Sequence, residues 1–225
     1  MERFVLVSGG SGSIGAALCR QLSSADMVPI IGYARGKDRA EALARETGGR
    51  ALHIDLTDRS VIDAAIEELA AIGIGLAAII LAASPRLALL PFGKIDETEM
   101  NSQLYVNVIG PQQLLAGVVK KCFRKNKRGL ALAVLTKAMG DGAGEAGMGS
   151  LGAYVIAKHG LQGVLSSAGA EYPWLRVDTI SPGFTKTPML EAFDERFLQA
   201  LQETEAFSTP DEVAVQIMER IKSQL

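Results

Sequence analysis

Residues 8–15, Ser8-Gly9-Gly10-Ser11-Gly12-Ser13-Ile14-Gly15, follow an apolar run at 4–8 and lead directly into a stretch of helical period at 16–22. Glycines at this spacing permit a tight turn and a close backbone approach. The helix that follows aims its free amides, and the positive end of its dipole, at whatever sits over the turn. In isolation such a segment is also an ordinary strand-to-helix connection. Placed after the first strand it reads as a pyrophosphate cradle, with Ser8, Gly9, Ser11, Ser13, Ile14 and Gly15 around the phosphates.

Outward from this turn the chain keeps alternating. Apolar runs at 28–33, 51–54, 76–83, 130–136 and 175–180 are each too continuous to be half-exposed, and longer segments of helical period separate them. That is the pattern of βαβ units: an α/β chain with a parallel sheet of about six strands, helices on both faces, and one domain over residues 1–225. After Asp58, the residues Ile62, Ile66 and Leu69 form one apolar stripe, with Asp63, Glu67 and Glu68 opposite. Thr209-Pro210-Asp211-Glu212 reads as a capping box with proline at the first helical position, opening a last helix through Val213, Ile217 and Ile221. Residues 138–152 form a glycine-rich loop.

Bulk properties narrow the function classes. The 225 residues are 48% hydrophobic and 21% charged, the composition of a folded chain with apolar strands. A formal net charge of −2 leaves no positive field to collect phosphate backbones, which argues against nucleic acid and for a small-molecule partner. The longest apolar run, 72–84, is broken by Gly73 and Gly75 and falls short of the roughly 18 residues of a membrane span. The amino terminus leads into the glycine turn rather than a cleavage site, so the expectation is a cytoplasmic protein. Cys19 and Cys122 have no metal-ligand spacing and read as buried free thiols, and no metal site is expected.

A dinucleotide needs a group near its adenosine ribose, about 20 residues beyond the loop. That position is Arg35, and no carboxylate stands there to bind ribose hydroxyls and repel a 2′-phosphate. Arg35, with Lys37, therefore suits NADP(H), the alternative being a solvated loop arginine. Asp55 follows the third strand, where it either accepts a bond from the adenine amino group or caps the strand end.

Tyr154-Val155-Ile156-Ala157-Lys158 puts a phenol and an ammonium four residues apart on one helix face. A neighbouring cation favours phenolate, so the spacing predicts a tyrosine pKa drawn down from about 10, fit for proton exchange with a carbonyl or alcohol oxygen. Tyr33 and Lys37 match the same pattern in a strand end and loop, so context selects the later pair.

The glycine turn, Asp55-Leu56, Val106-Asn107, Tyr154-xxx-Lys158 and Pro182-Gly183 occur in an order and spacing that resemble the short-chain dehydrogenase/reductase family over nearly the whole chain. The resemblance implies a Rossmann-type doubly wound sheet and an NADP-dependent oxidoreductase. It also implies Tyr154 as general acid/base, with Lys158 lowering its pKa and holding the nicotinamide ribose, and Asn107 positioning a water in a proton relay. Pro182, Gly183, Thr185 and Thr187 would lie beside the nicotinamide ring. Leu56, Ala82 and Ala83 would line the cofactor.

Four departures from the family pattern stand out. Ser13 replaces a glycine, which is tolerable if its φ stays negative. Ala82-Ala83-Ser84 replaces Asn-Ala-Gly and would lose a strand-bracing hydrogen bond. No strand follows the last helix before Leu225, so tetramers are doubtful and a homodimer is the expected assembly. Finally, counting back from the tyrosine puts the family's substrate-binding serine at Asp141. Aligning the fifth strand puts Thr136 there instead, 18 residues before Tyr154, and a threonine hydroxyl can make the same bond. Lys137 either adds charge near the oxyanion or points to solvent.

His53, His159 and Trp174 read as structural. Lys120, Lys121, Arg124, Lys125, Lys127 and Arg128 form either a solvated face or a docking patch for an acidic acyl carrier domain. With a short lid at 188–208, the expected reaction is hydride transfer between NADP(H) and a small or thioester-tethered carbonyl or alcohol, such as reduction of a 3-oxoacyl compound. The rival is a catalytically idle NADP-binding protein used for sensing or assembly. An extended-family epimerase or dehydratase would need a larger C-terminal domain.

Overall fold

Successive side chains of a strand point to opposite faces, so an unbroken apolar run demands cover on both sides. The computed structural model, which describes residues 3–71, 75–140 and 147–225, shows that cover. Strands β1 (Arg3–Ser8), β2 (Met27–Tyr33), β3 (Arg50–His53), β4 (Leu76–Leu81), β5 (Gly129–Val134) and β6 (Leu175–Ile180) pair in the order β3-β2-β1-β4-β5-β6. Every pairing is parallel.

The two faces divide the strands residue by residue. Val5, Val7, Ile31, Ile80 and Leu132 pack against helices α1 (Ser13–Ser24), α2 (Lys37–Thr47) and α8 (Pro210–Gln224). Their neighbours Phe4, Leu6, Ile30, Leu81 and Ala133 pack against α3 (Arg59–Ala71), α5 (Gly110–Val118) and α6 (Gly152–Glu171). The stripe Ile62, Ile66 and Leu69 is buried and Asp63 faces out, while the Thr209–Glu212 capping box forms in both directions. Among the described residues no helix is long and apolar enough to cross a membrane.

The order reverses between β1 and β4, the switch point outside which open parallel sheets bind ligands at their carboxyl ends. Two strands end earlier here than the sequence runs suggest. β4 stops at Leu81 because the amides of Ala82 and Ala83 turn to the Ser8 hydroxyl. β5 stops at Val134, and Thr136 then caps a short 3-10 turn, Lys137–Met139.

Helix α4 (Glu97–Leu104) runs into α5 through a π-turn, Tyr105–Ile109, where the Gly110 N–H reaches the Tyr105 carbonyl five residues back. Pro111 supplies the local reason. It lacks the N–H that an α-helix would give to the Asn107 carbonyl, so the regular ladder fails at this point and the helix widens. The expected lid contains a 3-10 turn, Pro188–Ala192, and α7 (Glu195–Gln202), whose N-cap Asp194 accepts from the amides of Arg196 and Phe197.

Candidate active site

The glycine turn closes as its sequence requires. Gly9 has φ 69°, and a Cβ there would lie 2.8 Å from the Ala83 Cα. A Cβ on Gly15 would strike the Gly9 carbonyl, so α1 can start this close to the turn only with glycine. Gly12, the N-cap of α1, offers no side chain to its first amides. Ser13 begins the helix and is not among the described residues with positive φ, so replacing glycine there costs no strain. The bracing bond expected to be missing after β4 is present in another form: the buried Ser8 hydroxyl accepts from the amides of Ala82 (3.2 Å) and Ala83 (3.4 Å). Ile14 packs on the α1-side core and Ser11 lies half-buried at the rim of the turn.

At the end of β2, Arg35 is exposed in a bend, and Gly36 adopts φ 77° as N-cap of α2. Lys37 pairs with Glu41 at 3.6 Å. The Arg39 guanidinium folds over Gly36, 2.7 Å from where a Cβ would stand. Arg39 thus joins Arg35 and Lys37 at this edge, an addition that counting from the glycine loop did not reach. Asp55 caps the chain after β3, its Oδ1 accepting from the Thr57 amide (2.9 Å) and hydroxyl (2.7 Å). Leu56 is buried in the core, and its carbonyl lies so close to Gly110 that no Cβ fits between them.

Thr136, Tyr154 and Lys158 come together beyond the end of β5. The Thr136 hydroxyl accepts from the Ala138 amide at 3.2 Å and shares a hydrogen bond with the Tyr154 phenol. Tyr154 is 8% exposed. The Lys158 Nζ, on the next turn of α6, lies 5.5 Å from the Tyr154 ring centroid and donates to the Val134 carbonyl at 2.9 Å. Thr136, the candidate from alignment of the fifth strand, thus stands near Tyr154; Asp141, the candidate from counting back, lies outside the described residues.

The electrostatics correct one expectation. Burial pushes the Tyr154 phenol up to about 12, with the Thr136 hydrogen bond pulling weakly the other way, and it pushes the Lys158 amine down to about 7. Removing water penalises each charged form more than the helical neighbour helps it, so spacing alone misjudged the direction for Tyr154.

Asn107 sits in the π-turn, fully buried, and this turn packs on α6. Its Nδ2 donates to the carbonyl (3.2 Å) and the Oε1 (3.1 Å) of Gln103, while its Oδ1 has no partner among the described residues. Neither Gln103 nor Pro111 was singled out from sequence. Polar residues at i and i+4 with a proline at i+8 are the signal that was there to read.

The segment after β6 forms the far wall. The Pro182 carbonyl accepts from the Lys137 amide at 2.9 Å, and the Thr185 hydroxyl donates to the Gly183 carbonyl at 3.1 Å. Thr185 is buried, and Thr187 is the N-cap of the 3-10 turn. Lys137 reaches Glu205 at 3.7 Å across Gly183, tying the loop after β5 to the chain after α7. Phe207 stacks on Phe184 with ring centroids 5.2 Å apart.

Other candidates separate from this edge. All six clustered cations lie between α5 and β5, Lys120 and Lys121 in the π-turn Val119–Phe123 and the other four beyond it, before Gly129 at the amino end of β5. A six-residue strand places them roughly 20 Å from Thr136. Lys121 pairs with Glu67 at 2.9 Å and Arg128 donates to the Leu225 carbonyl at 2.7 Å. Tyr33 packs on His53, with centroids 5.4 Å apart, instead of meeting Lys37. His159 is exposed, and Trp174 packs with Tyr172 against the core. Cys19 is buried, but Cys122 is only half-buried, because its turn of helix ends at the surface. Burial pushes both thiols up, Cys19 to about 12. No cluster of metal-ligating side chains occurs among the described residues.

The chain is similar to the cis-4-hydroxycyclohexanecarboxylate dehydrogenase of Sinomonas cyclohexanicum, at 27% identity over 95% of this chain and 86% of the relative. It is similar to the 3-oxoacyl-(acyl-carrier-protein) reductase MabA of Mycobacterium bovis, at 27% identity over 95% of this chain and 83% of the relative. The crystal structure of the 3-ketoacyl-(acyl-carrier-protein) reductase of Brucella melitensis complexed with NADH superposes with a TM-score of 0.85 at 19% identity, over 96% of this chain and 89% of that one. With the short chain dehydrogenase profile matching residues 3–197, the chain belongs to the short-chain dehydrogenase/reductase family, whose members use NAD(P)(H).

Proposed function

We propose that the protein is an NADP(H)-dependent oxidoreductase that reduces compact ketones. The observation that carries this reading is the meeting of the Thr136 hydroxyl, the Tyr154 phenol and the Lys158 amine beside the glycine turn. The turn suits a diphosphate, since backbone closes on Gly9 and Gly15 wherever a side chain would otherwise project. Arg35, Lys37 and Arg39, with no carboxylate at the end of β2, suit a 2′-phosphate. Bound nicotinamide supplies the hydride.

The side chains do the rest. Thr136 holds the substrate oxygen against Tyr154. The phenol gives up its proton as charge develops on that oxygen, and burial keeps it protonated and ready over the physiological range. Protonated Lys158 stabilises the phenolate left behind, and Asn107 leads the returning proton toward it. Pro182, Gly183, Thr185 and Thr187 orient the nicotinamide carboxamide, and Leu56, Ala82 and Ala83 bound the cofactor. The short lid from Pro188 favours a small or tethered substrate, and the names of the relatives point to cyclic alcohols and 3-oxoacyl thioesters as the classes to try.

The test is NADPH oxidation with cyclic ketones and 3-oxoacyl thioesters, together with NADP-dependent oxidation of cyclic alcohols. Turnover with NADPH preferred over NADH is the expected result. Tight NADPH binding with no turnover on either panel overturns the enzyme reading in favour of a nucleotide-binding protein.

A further inference from the structure

Gln103 is a wholly buried polar residue that none of the motifs accounts for. Its amide nitrogen donates to the Arg86 carbonyl at 3.1 Å and to the Glu99 Oε1 at 2.9 Å, and its Oε1 accepts from the Asn107 Nδ2 at 3.1 Å. The spacing 99, 103, 107 stacks the three side chains along one face of α4 and its π-turn. The Arg86 carbonyl belongs to the connection that leaves β4, so Gln103 ties that connection to the helix.

We propose that Gln103 is a positioning residue that locks the Asn107 amide so that its Oδ1 stands as a free acceptor between the π-turn and α6. The lock follows from hydrogen-bond polarity. Both acceptors offered to Asn107 on the Gln103 side are oxygens, the carbonyl at 3.2 Å and the Oε1 at 3.1 Å. A flipped amide would set oxygen against oxygen twice, so Nδ2 must face Gln103 and Oδ1 must face away. That Oδ1 is buried and has no partner among the described residues. A buried carbonyl without a donor is costly, and such groups collect where a water or proton path needs an acceptor. Gln103 itself is held from behind by Glu99, which is only partly buried. Its Oε1 therefore has one orientation to present.

The role assigned to the acceptor rests on the reductase reading; the orientation does not. One variant, with its crystal structure, tests both. Gln103→Met keeps volume and loses the acceptor. For Gln103→Met we expect NADPH affinity and ketone KM within about threefold of wild type, kcat reduced about tenfold or more, and an altered pH profile of kcat. Wild-type kcat and pH profile in Gln103→Met overturn the proposal. Should the wild type turn over neither panel, the reductase reading fails alone, and the orientation is read in atomic-resolution crystal structures. A water on Oδ1 of wild-type Asn107 and a rotated amide in Gln103→Met support the lock; an unrotated amide in Gln103→Met overturns it.

Discussion

The two ends of β5 are built on opposite terms. At its amino end, before Gly129, six cations stand in water, and two of the six have partners among the described residues. At its carboxyl end a hydroxyl, a phenol and an amine are drawn together with most of their surface removed from solvent. Exposed charge costs a fold almost nothing and is weak evidence of purpose. Polar groups buried at the switch point cost several kcal/mol each unless they are paired, and their grouping there is the better guide to chemistry. The denser motif in the sequence is thus the poorer predictor of the site.

Substitutions at the two ends should separate by orders of magnitude. Tyr154→Phe should lower ketone turnover about a thousandfold while leaving the NADPH dissociation constant unchanged in a fluorescence titration. Turnover within tenfold of wild type would remove the phenol from its role. Thr136→Val should cost roughly 10- to 100-fold in kcat/KM, and Thr136→Ser should restore it, since only the hydroxyl is at issue. Arg35→Asp should move the NADPH-to-NADH preference by about 10- to 100-fold toward NADH; an unchanged ratio would return Arg35 to the solvent.

Lys158 adds a pH test. Its amine titrates near 7 in the fold against 10.5 when free, so the unfolded chain binds more protons across that interval. Wild-type stability relative to Lys158→Met should therefore rise with pH from about 7 to 10.5 in denaturant melts, and parallel curves would contradict the buried amine. In turnover the sign reverses: loss of the ammonium as pH climbs through 7 should slow ketone reduction. The smallest effect belongs to the other end of the strand. Changing Lys120, Arg124 and Lys125 together to glutamine should leave activity on a free ketone within about twofold.

The sequence spoke clearly about the layers and less clearly about electrostatics, for a physical reason. Apolar runs such as Val5 to Val7 and the period of Ile62, Ile66 and Leu69 register burial directly, so the strands and the helix faces followed. Spacing pointed to Tyr154 and Lys158 as candidates, alignment of the fifth strand with the family to Thr136, and the family resemblance alone to Asn107. What spacing does not carry is the solvent lost when elements pack, and that loss sets the direction at Tyr154 and Lys158. Contacts between distant segments stayed hidden for the same reason. Ser8 bracing Ala82 and Ala83, and Lys137 reaching Glu205, depend on the fold that brings them together.

Pro111 carries a last consequence. Side-chain networks such as that of Gln103 can be rearranged by heat, acid or a ligand, but a missing hydrogen on a ring nitrogen is written into the covalent chain. The oxygen of the Asn107 peptide unit is spared its usual helical partner in every state in which this helix exists. Restoring an N–H with Pro111→Ala would let the turn tighten by one residue, and so would alter the wall against which α6 rests.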